Sequence, residues 1–201
     1  MVTNLILGVL PESVQIDGVN YPVRSDYRTW MEFDGIRNSS EKEEKKLLQM
    51  LLLCYPAIPE NLEAAIEKMI WFYQCGKPVE KEEKKERYQR STSKGPAFSF
   101  SQDAPYIYSA FKEQYGIDLT EERKLHWWKF MALFESLGED TKMSKIMYYR
   151  KASTHGLTRE RRAFINDMKK LYKIQEAPEK RLTLEERNQR WKDYVEYRHR
   201  Q

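Results

Sequence analysis

Few residues in this chain have the chemistry of a catalytic or metal site. The chain contains two cysteines, Cys54 and Cys75, and three histidines, at positions 126, 155 and 199. These five residues form no CxxC pair and no spacing typical of metal ligands. The sequence also lacks the phosphate-binding and metalloprotease motifs HExxH, GxGxxG and GxxxxGK[ST]. We therefore expect no enzymatic activity, no metal and no cofactor, and we expect both thiols to be free and buried.

His126 has the best-defined surroundings of the three histidines. Glu122 precedes it by one helical turn, a spacing that allows an ion pair or hydrogen bond. A histidine beside a single glutamate is more often structural than catalytic. Trp127, Trp128 and Phe130 follow, and at helical periodicity they make a helix that is apolar on most sides. The favoured interpretation is a central core helix, and the alternative is an aromatic surface that binds a partner helix.

The C-terminal third of the chain is basic. From residue 142 onward there are 17 basic and 8 acidic residues, whereas the whole chain has a net charge of only +4. Basic residues interleaved with aromatic ones on a predicted helix at 159–173 are typical of phosphate-backbone and base contacts. However, Phe164, Met168, Leu171 and Tyr172 also fit one apolar stripe. We favour a helix whose stripe faces the core, so nucleic acid is not an expected partner.

A last helix is predicted from Thr183 to the end of the sequence. Its narrow apolar stripe on a charged background consists of Leu184, Trp191, Tyr194 and Val195. Such a helix either packs on its own domain or fits into a groove of another protein. Both interpretations stay open.

The remaining patterns predict a mainly α-helical, bundle-like fold with a small N-terminal β-hairpin. The hairpin is expected at 14–23, around the pair Asp17-Gly18, because Asp-Gly supplies the positive φ angles of a tight turn. Capping residues and apolar periodicity then predict a series of helices. Their expected N-terminal caps are Ser25 or Asp26, Ser40, Asp103 and Thr120, the last for a helix reaching Leu137. Another helix is expected from about Asn61, and further helices cover 143–153 and 159–173.

Three regions follow from this pattern. Residues 1–76 hold the hairpin and the first helices, 77–102 form a charged linker or loop, and 103–201 are a C-terminal helical region. Whether the first and third regions pack as one domain stays open. The apolar stretch 5–10 has no preceding basic residue and is too short for a membrane span, so we expect a strand or docking segment there.

Several motifs together resemble the siphophage family named after gene product fifteen, which is usually encoded near the tape-measure gene. The resemblance covers about residues 10–150. It rests on Leu10-Pro11-Glu12, Ile16-Asp17-Gly18 with Tyr21, Asp26-Tyr27-Arg28, Asp103 with Ile107-Tyr108-Ser109-Ala110-Phe111, Tyr115-Gly116-Ile117-Asp118-Leu119, and His126-Trp127-Trp128-Lys129-Phe130.

This resemblance implies a tail assembly chaperone that binds the tape-measure protein and keeps it soluble while the tail tube polymerises. Tail-tube proteins, another tail chaperone or a second copy of the chain are further expected partners. The implied location is the host bacterial cytoplasm rather than the mature virion, with no membrane association. The family supplies no catalytic residues to carry over. The alternatives are a structural tail or head-completion component of the virion, or a basic nucleic-acid-binding phage regulator.

Overall fold

The computed structural model describes residues 5–77 and 95–175. Among these residues it contains a two-stranded sheet and seven helices, and none of these helices is long and apolar enough to cross a membrane. The predicted helix from Thr183 lies outside the described residues. The elements are β1 (Ser13–Ile16), β2 (Val19–Pro22), α1 (Tyr27–Arg37), α2 (Glu43–Cys54), α3 (Leu62–Tyr73), α4 (Ala104–Tyr115), α5 (Trp127–Glu135), α6 (Lys142–Lys151) and α7 (Arg159–Leu171).

The predicted hairpin is confirmed. Strands β1 and β2 pair antiparallel, and the turn residues Asp17 and Gly18 have φ angles of 50° and 81°. Two consecutive positive φ angles match the twist of a two-residue hairpin, which explains the Asp-Gly pair. Val14 and Ile16 are buried, so alternate residues of β1 fix this strand to the helical core.

Helices α1 and α4 begin after the predicted caps Asp26 and Asp103, and α3 begins close to Asn61 as predicted, whereas α2 and α5 do not begin at their predicted caps. The side chains of Asp26 and Asn61 accept backbone N–H groups in the first turns of α1 and α3. The capping box predicted at Ser40 is wrong, because α2 begins at Glu43 with Lys42 as its N-cap and without a side-chain capping bond. Acidic residues in the first turn of α2 instead face the positive end of the helix dipole.

The helix predicted to be capped by Thr120 begins six residues later than expected, as α5, whose N-cap is His126. The carboxylate of Asp118 accepts both the amide of Thr120, at 3.0 Å, and its hydroxyl, at 2.6 Å. That hydroxyl is therefore engaged in a local turn and does not cap a helix. Leu125 then lies outside any helix, and its carbonyl accepts the amide of Tyr27 at 3.0 Å. A long-range backbone contact thus replaces the first turns of the predicted helix.

One cluster of buried hydrophobic side chains joins elements from both sides of the predicted linker. It includes Trp30 and Phe72 from the N-terminal region and Phe111 and Phe130 from the C-terminal region. Phe100, near the end of the segment that the sequence assigned to the linker, is also buried in this cluster. Residues 78–94 of that segment lie outside the described residues.

Helices α6 and α7 are attached at one side of this core. Helix α6 packs on α4, and α7 packs on α6. The guanidinium group of Arg150 donates to both carboxylate oxygens of Asp103, at 2.6 and 2.8 Å, and its Nε donates to the carbonyl of Tyr172 at 2.6 Å. Asp103 is nearly inaccessible to solvent, so this is a buried bidentate ion pair between the start of α4 and the end of α6.

Candidate partner-binding surfaces

The two adjacent tryptophans hold α5 against the end of α3. Nε1 of Trp127 donates to the carbonyl of Tyr73 at 2.9 Å, and Nε1 of Trp128 donates to the carbonyl of Phe72 at 2.9 Å. The last carbonyls of a helix have no partner within the helix. The indole of Trp127 therefore supplies a donor to a carbonyl at the helix end, and the indole of Trp128 adds a second donor to the Phe72 carbonyl, which also accepts the amide of Cys75 at 3.0 Å.

The same junction contains a tight contact at Gly76. Its φ angle is 74°, and a Cβ atom at this position would lie 2.9 Å from Cη2 of Trp128. The chain can pass this closely over the indole ring only because residue 76 has no side chain. The C-cap of α3 is Gln74, two residues earlier, and the glycine serves this close approach.

His126 has a structural role at the start of α5. Its Nδ1 accepts the amide of Trp128 at 3.0 Å, so Nε2 carries the proton and donates to the carbonyl of Pro11 at 3.0 Å. Burial lowers the pKa of His126, while the hydrogen bond to Pro11 opposes that shift. The pairing expected with Glu122 does not form, because 122–126 is not helical and the Glu122 carboxylate accepts the amide of Lys124.

The three α5 residues predicted as possible partner contacts are in the interior. Trp127, Trp128 and Phe130 have exposed fractions of 1%, 3% and 0%. Phe130 is stacked against the rings of Tyr27 and Phe111, with a centroid distance of 5.0 Å to each. The core interpretation is confirmed for these side chains, and the alternative of an aromatic docking surface does not fit this conformation because their own chain covers them. The other predicted contacts, Leu184, Trp191, Tyr194 and Val195, lie outside the described residues.

Apolar side chains are exposed instead on the outer face of α2. Leu48 and Leu52 are 54% and 55% exposed and lie one helical turn apart, whereas Leu51 is buried. The sequence showed the spacing of these leucines but not which of them faces solvent. Residues 5–8 form turns rather than the predicted strand, and Val9 beside them is 94% exposed.

A second exposed surface combines aromatic and basic residues. We call the surface formed by α6 and α7 the α6–α7 surface. On this surface, the ring of Tyr149 contacts the rings of Tyr148, Phe164 and Tyr172 at centroid distances of 5.7, 5.9 and 6.3 Å. The guanidinium group of Arg161 lies over the ring of Phe164, 5.5 Å from its centroid. The aromatic rings are therefore continuous across the two helices, with cationic groups beside them.

The apolar stripe predicted for α7 is wrong in two of its four members. Phe164 and Leu171 are 42% and 66% exposed, and Ile165 is the one fully buried residue of this helix. Met168 and Tyr172 are half-buried, as the stripe requires. Helix α7 packs on α6 along a narrow line, so most of its circumference stays accessible to solvent.

A comparison with protein families decides the membership of the chain. A family model described as Bacteriophage Gp15 protein matches residues 7–174. The chain belongs to the bacteriophage Gp15 family. No curated protein and no solved structure shows a significant match to it.

The Gp15 match is longer than the 10–150 that individual motifs indicated. It includes α7 and therefore the whole α6–α7 surface, as well as the exposed leucines of α2. The C-terminal stripe beginning at Leu184 lies beyond the matched residues. This chain is thus a bacteriophage protein whose two exposed surfaces both belong to its Gp15 region.

Within the described part of this Gp15 chain, no group of three or more His, Cys, Asp or Glu side chains is arranged to hold a metal ion. Cys54 and Cys75 are free thiols, Cys54 buried and Cys75 half-buried. Burial raises the pKa of each thiol to about 12, which leaves the nucleophilic thiolate scarce at neutral pH.

Proposed function

We propose that this Gp15 protein is a tail assembly chaperone that binds the phage tape-measure protein and keeps it soluble during assembly of the tail tube. Family membership supports a bacteriophage role, and the resemblance carried by the sequence motifs implies a family that is usually encoded near the tape-measure gene. The observation that carries the proposal is the pair of exposed leucines on α2. In this proposal the protein acts in the host cytoplasm, before the finished virion exists.

Exposed leucines one turn apart are suited to an amphipathic helical partner. A tape-measure protein is a long helical chain, and its apolar stripes aggregate unless another surface covers them. Leu48 and Leu52 can enter such a stripe, while Glu44 and Lys45 beside them stay in water. Because each leucine is about half exposed, covering both is worth roughly 2–3 kcal/mol. A contact this weak is reversible, which suits a chaperone that must leave as the tube grows.

Co-expression with the tape-measure protein of the same phage tests the proposal. The full chain is expected to move the tape-measure protein from the pellet to the soluble fraction. The variant Leu48→Ser/Leu52→Ser is expected to lose much of this effect. The control Glu44→Ser/Lys45→Ser changes the same helix face, keeps the net charge and should retain the effect.

Two results would count against this function. If the tape-measure protein is equally insoluble with and without the full chain, the chaperone role fails. If the leucine variant and the control perform equally, the role survives but its contact lies elsewhere, for which the stripe containing Leu184 and Trp191 is the next candidate. Mass spectrometry of purified virions should detect no Gp15, since a structural component would be present in fixed copy number.

A further inference from the structure

The α6–α7 surface has an excess of positive charge that its own carboxylates do not balance. Residues 142–175 contain ten basic and two acidic residues, a net charge of +8, compared with +4 for the whole chain. Arg150 is engaged by Asp103. Across the described residues, five exposed cations of this surface have no carboxylate within 4.0 Å. They are Lys142, Arg159, Arg161, Arg162 and Lys173.

The remaining charge pairs on this surface do little to neutralise it. Lys145 lies 4.0 Å from Asp140, and Lys170 lies 3.9 Å from Asp167, with both carboxylates largely exposed. Exposed pairs at such distances are screened by water and contribute little. The potential over α6 and α7 is therefore positive, and it favours a polyanionic partner.

Two rings of this surface are accessible, and one of them, Phe164, belongs to the stripe that the sequence assigned to the core. Tyr148 is 57% exposed and Phe164 is 42% exposed, and both are held in place by contact with the half-buried ring of Tyr149. Arg161 lies against Phe164, so a flat aromatic group and a cation are presented together. A fixed ring beside a guanidinium group can stack a base and bind the adjacent phosphate.

We propose that the α6–α7 surface binds single-stranded nucleic acid, with Tyr148 and Phe164 stacking on bases and Arg161 and Arg162 contacting phosphates. Unpaired bases fit better than a duplex, because bases in a duplex are already stacked on each other. A nucleic acid fits better than an acidic protein segment, because charge alone gives no role to two exposed aromatic rings. This inference does not depend on the tape-measure proposal, which uses α2.

The test measures binding of the full chain to a fluorescently labelled oligothymidylate by anisotropy, over a range of salt concentrations. Affinity should fall as salt rises. Arg161→Gln/Arg162→Gln should weaken binding and reduce the slope of log K against log salt by about 1.4, since each lost phosphate contact contributes about 0.7. Arg123→Gln/Lys124→Gln removes two exposed cations outside the surface and should leave the affinity close to wild type.

The aromatic rings are tested separately from the charges. Tyr148→Ala/Phe164→Ala should weaken binding at least about fivefold and leave the salt slope unchanged, because stacking releases no counterions. If this variant melts below wild type, Tyr148→Leu/Phe164→Leu replaces it, since leucine keeps apolar contact with Tyr149 but has no aromatic face.

Three results would overturn the proposal. The first is absence of salt-dependent binding by the wild-type chain. The second is an equal loss of affinity in the Arg123→Gln/Lys124→Gln control, which would show a response to net charge alone. The third is normal binding by the ring variants together with displacement of the oligonucleotide by poly-glutamate. That result would assign the surface to an acidic protein segment instead.

Discussion

The contact between Gly76 and Trp128 gives the sharpest prediction about stability. Gly76→Ala introduces two separate costs. A side chain at a φ of 74° costs about 1–2 kcal/mol, because the left-handed region brings Cβ close to the backbone. In addition, the new Cβ would lie 2.9 Å from Cη2 of the indole, and overpacking of this kind costs about 1–3 kcal/mol. The expected total is about 2–5 kcal/mol.

Two further variants separate these costs. Gly116 has a similar φ of 68° at the end of α4, and a methyl group there would have no heavy atom within 4 Å, so Gly116→Ala should cost only the backbone strain of about 1–2 kcal/mol. Trp128→Phe removes the distal atoms of the indole. Its own cost includes about 1 kcal/mol for the lost bond to the Phe72 carbonyl, which still accepts the Cys75 amide at 3.0 Å.

The assay is urea unfolding of wild type, the three single variants and the double variant Gly76→Ala/Trp128→Phe. Because the phenyl ring leaves room for the methyl group, the double variant should be more stable than the sum of its single changes predicts, by about 1–3 kcal/mol. Additivity within about 0.5 kcal/mol would refute the clash. Equal costs for Gly76→Ala and Gly116→Ala would show that backbone strain alone explains both.

Three other predictions concern buried polar groups. His126→Asn keeps a capping acceptor but cannot titrate. Because burial holds the folded pKa of His126 below the ordinary value of about 6.5, wild type should lose stability as pH falls below that value. Urea unfolding of the variant should show a smaller loss over the same pH range. Asp103→Asn leaves a buried guanidinium without its carboxylate and should cost about 3–5 kcal/mol, whereas Asp167→Asn, in an exposed pair, should change stability by less than about 1 kcal/mol. In the folded protein, Cys54 should not react with a disulfide reagent and Cys75 should react slowly, whereas both thiols should react rapidly in urea. Rapid labelling of Cys54 under native conditions would contradict its burial.

The sequence predicted well wherever a local signal decides the structure. The Asp17-Gly18 pair located the hairpin, and the capping residue Asp26 located the start of α1, because these groups act on backbone within a few residues. The apolar pattern around Trp127 and Trp128 also indicated a buried helix correctly. Local hydrogen bonding and helical periodicity are sufficient for such assignments.

Predictions failed where distant residues decide the structure. The segment before α5 contains good helix formers, but its backbone pairs with the residues before α1, and Asp26 and His126 form an isolated antiparallel bridge. The role of Gly76 depends on an indole more than fifty positions along the chain. No pattern within either segment contains that information, because the contacts exist only after α3 and α5 have packed.

The exposed surfaces could not be predicted from the sequence for the same reason, and these surfaces matter most for function. Periodicity marks the apolar residues of α7, but burial requires a second element to cover them, and α7 packs chiefly on one neighbour. Ile165 is buried at 0% exposure, whereas Phe164, the preceding residue in the chain, is 42% exposed beside Arg161. An aromatic side chain that appears in sequence to belong to the core thus becomes part of a basic surface. The expected burial of Phe164 was the reason not to expect nucleic acid as a partner. Because the Phe164 ring is partly exposed beside Arg161, a nucleic-acid contact at this surface is physically possible.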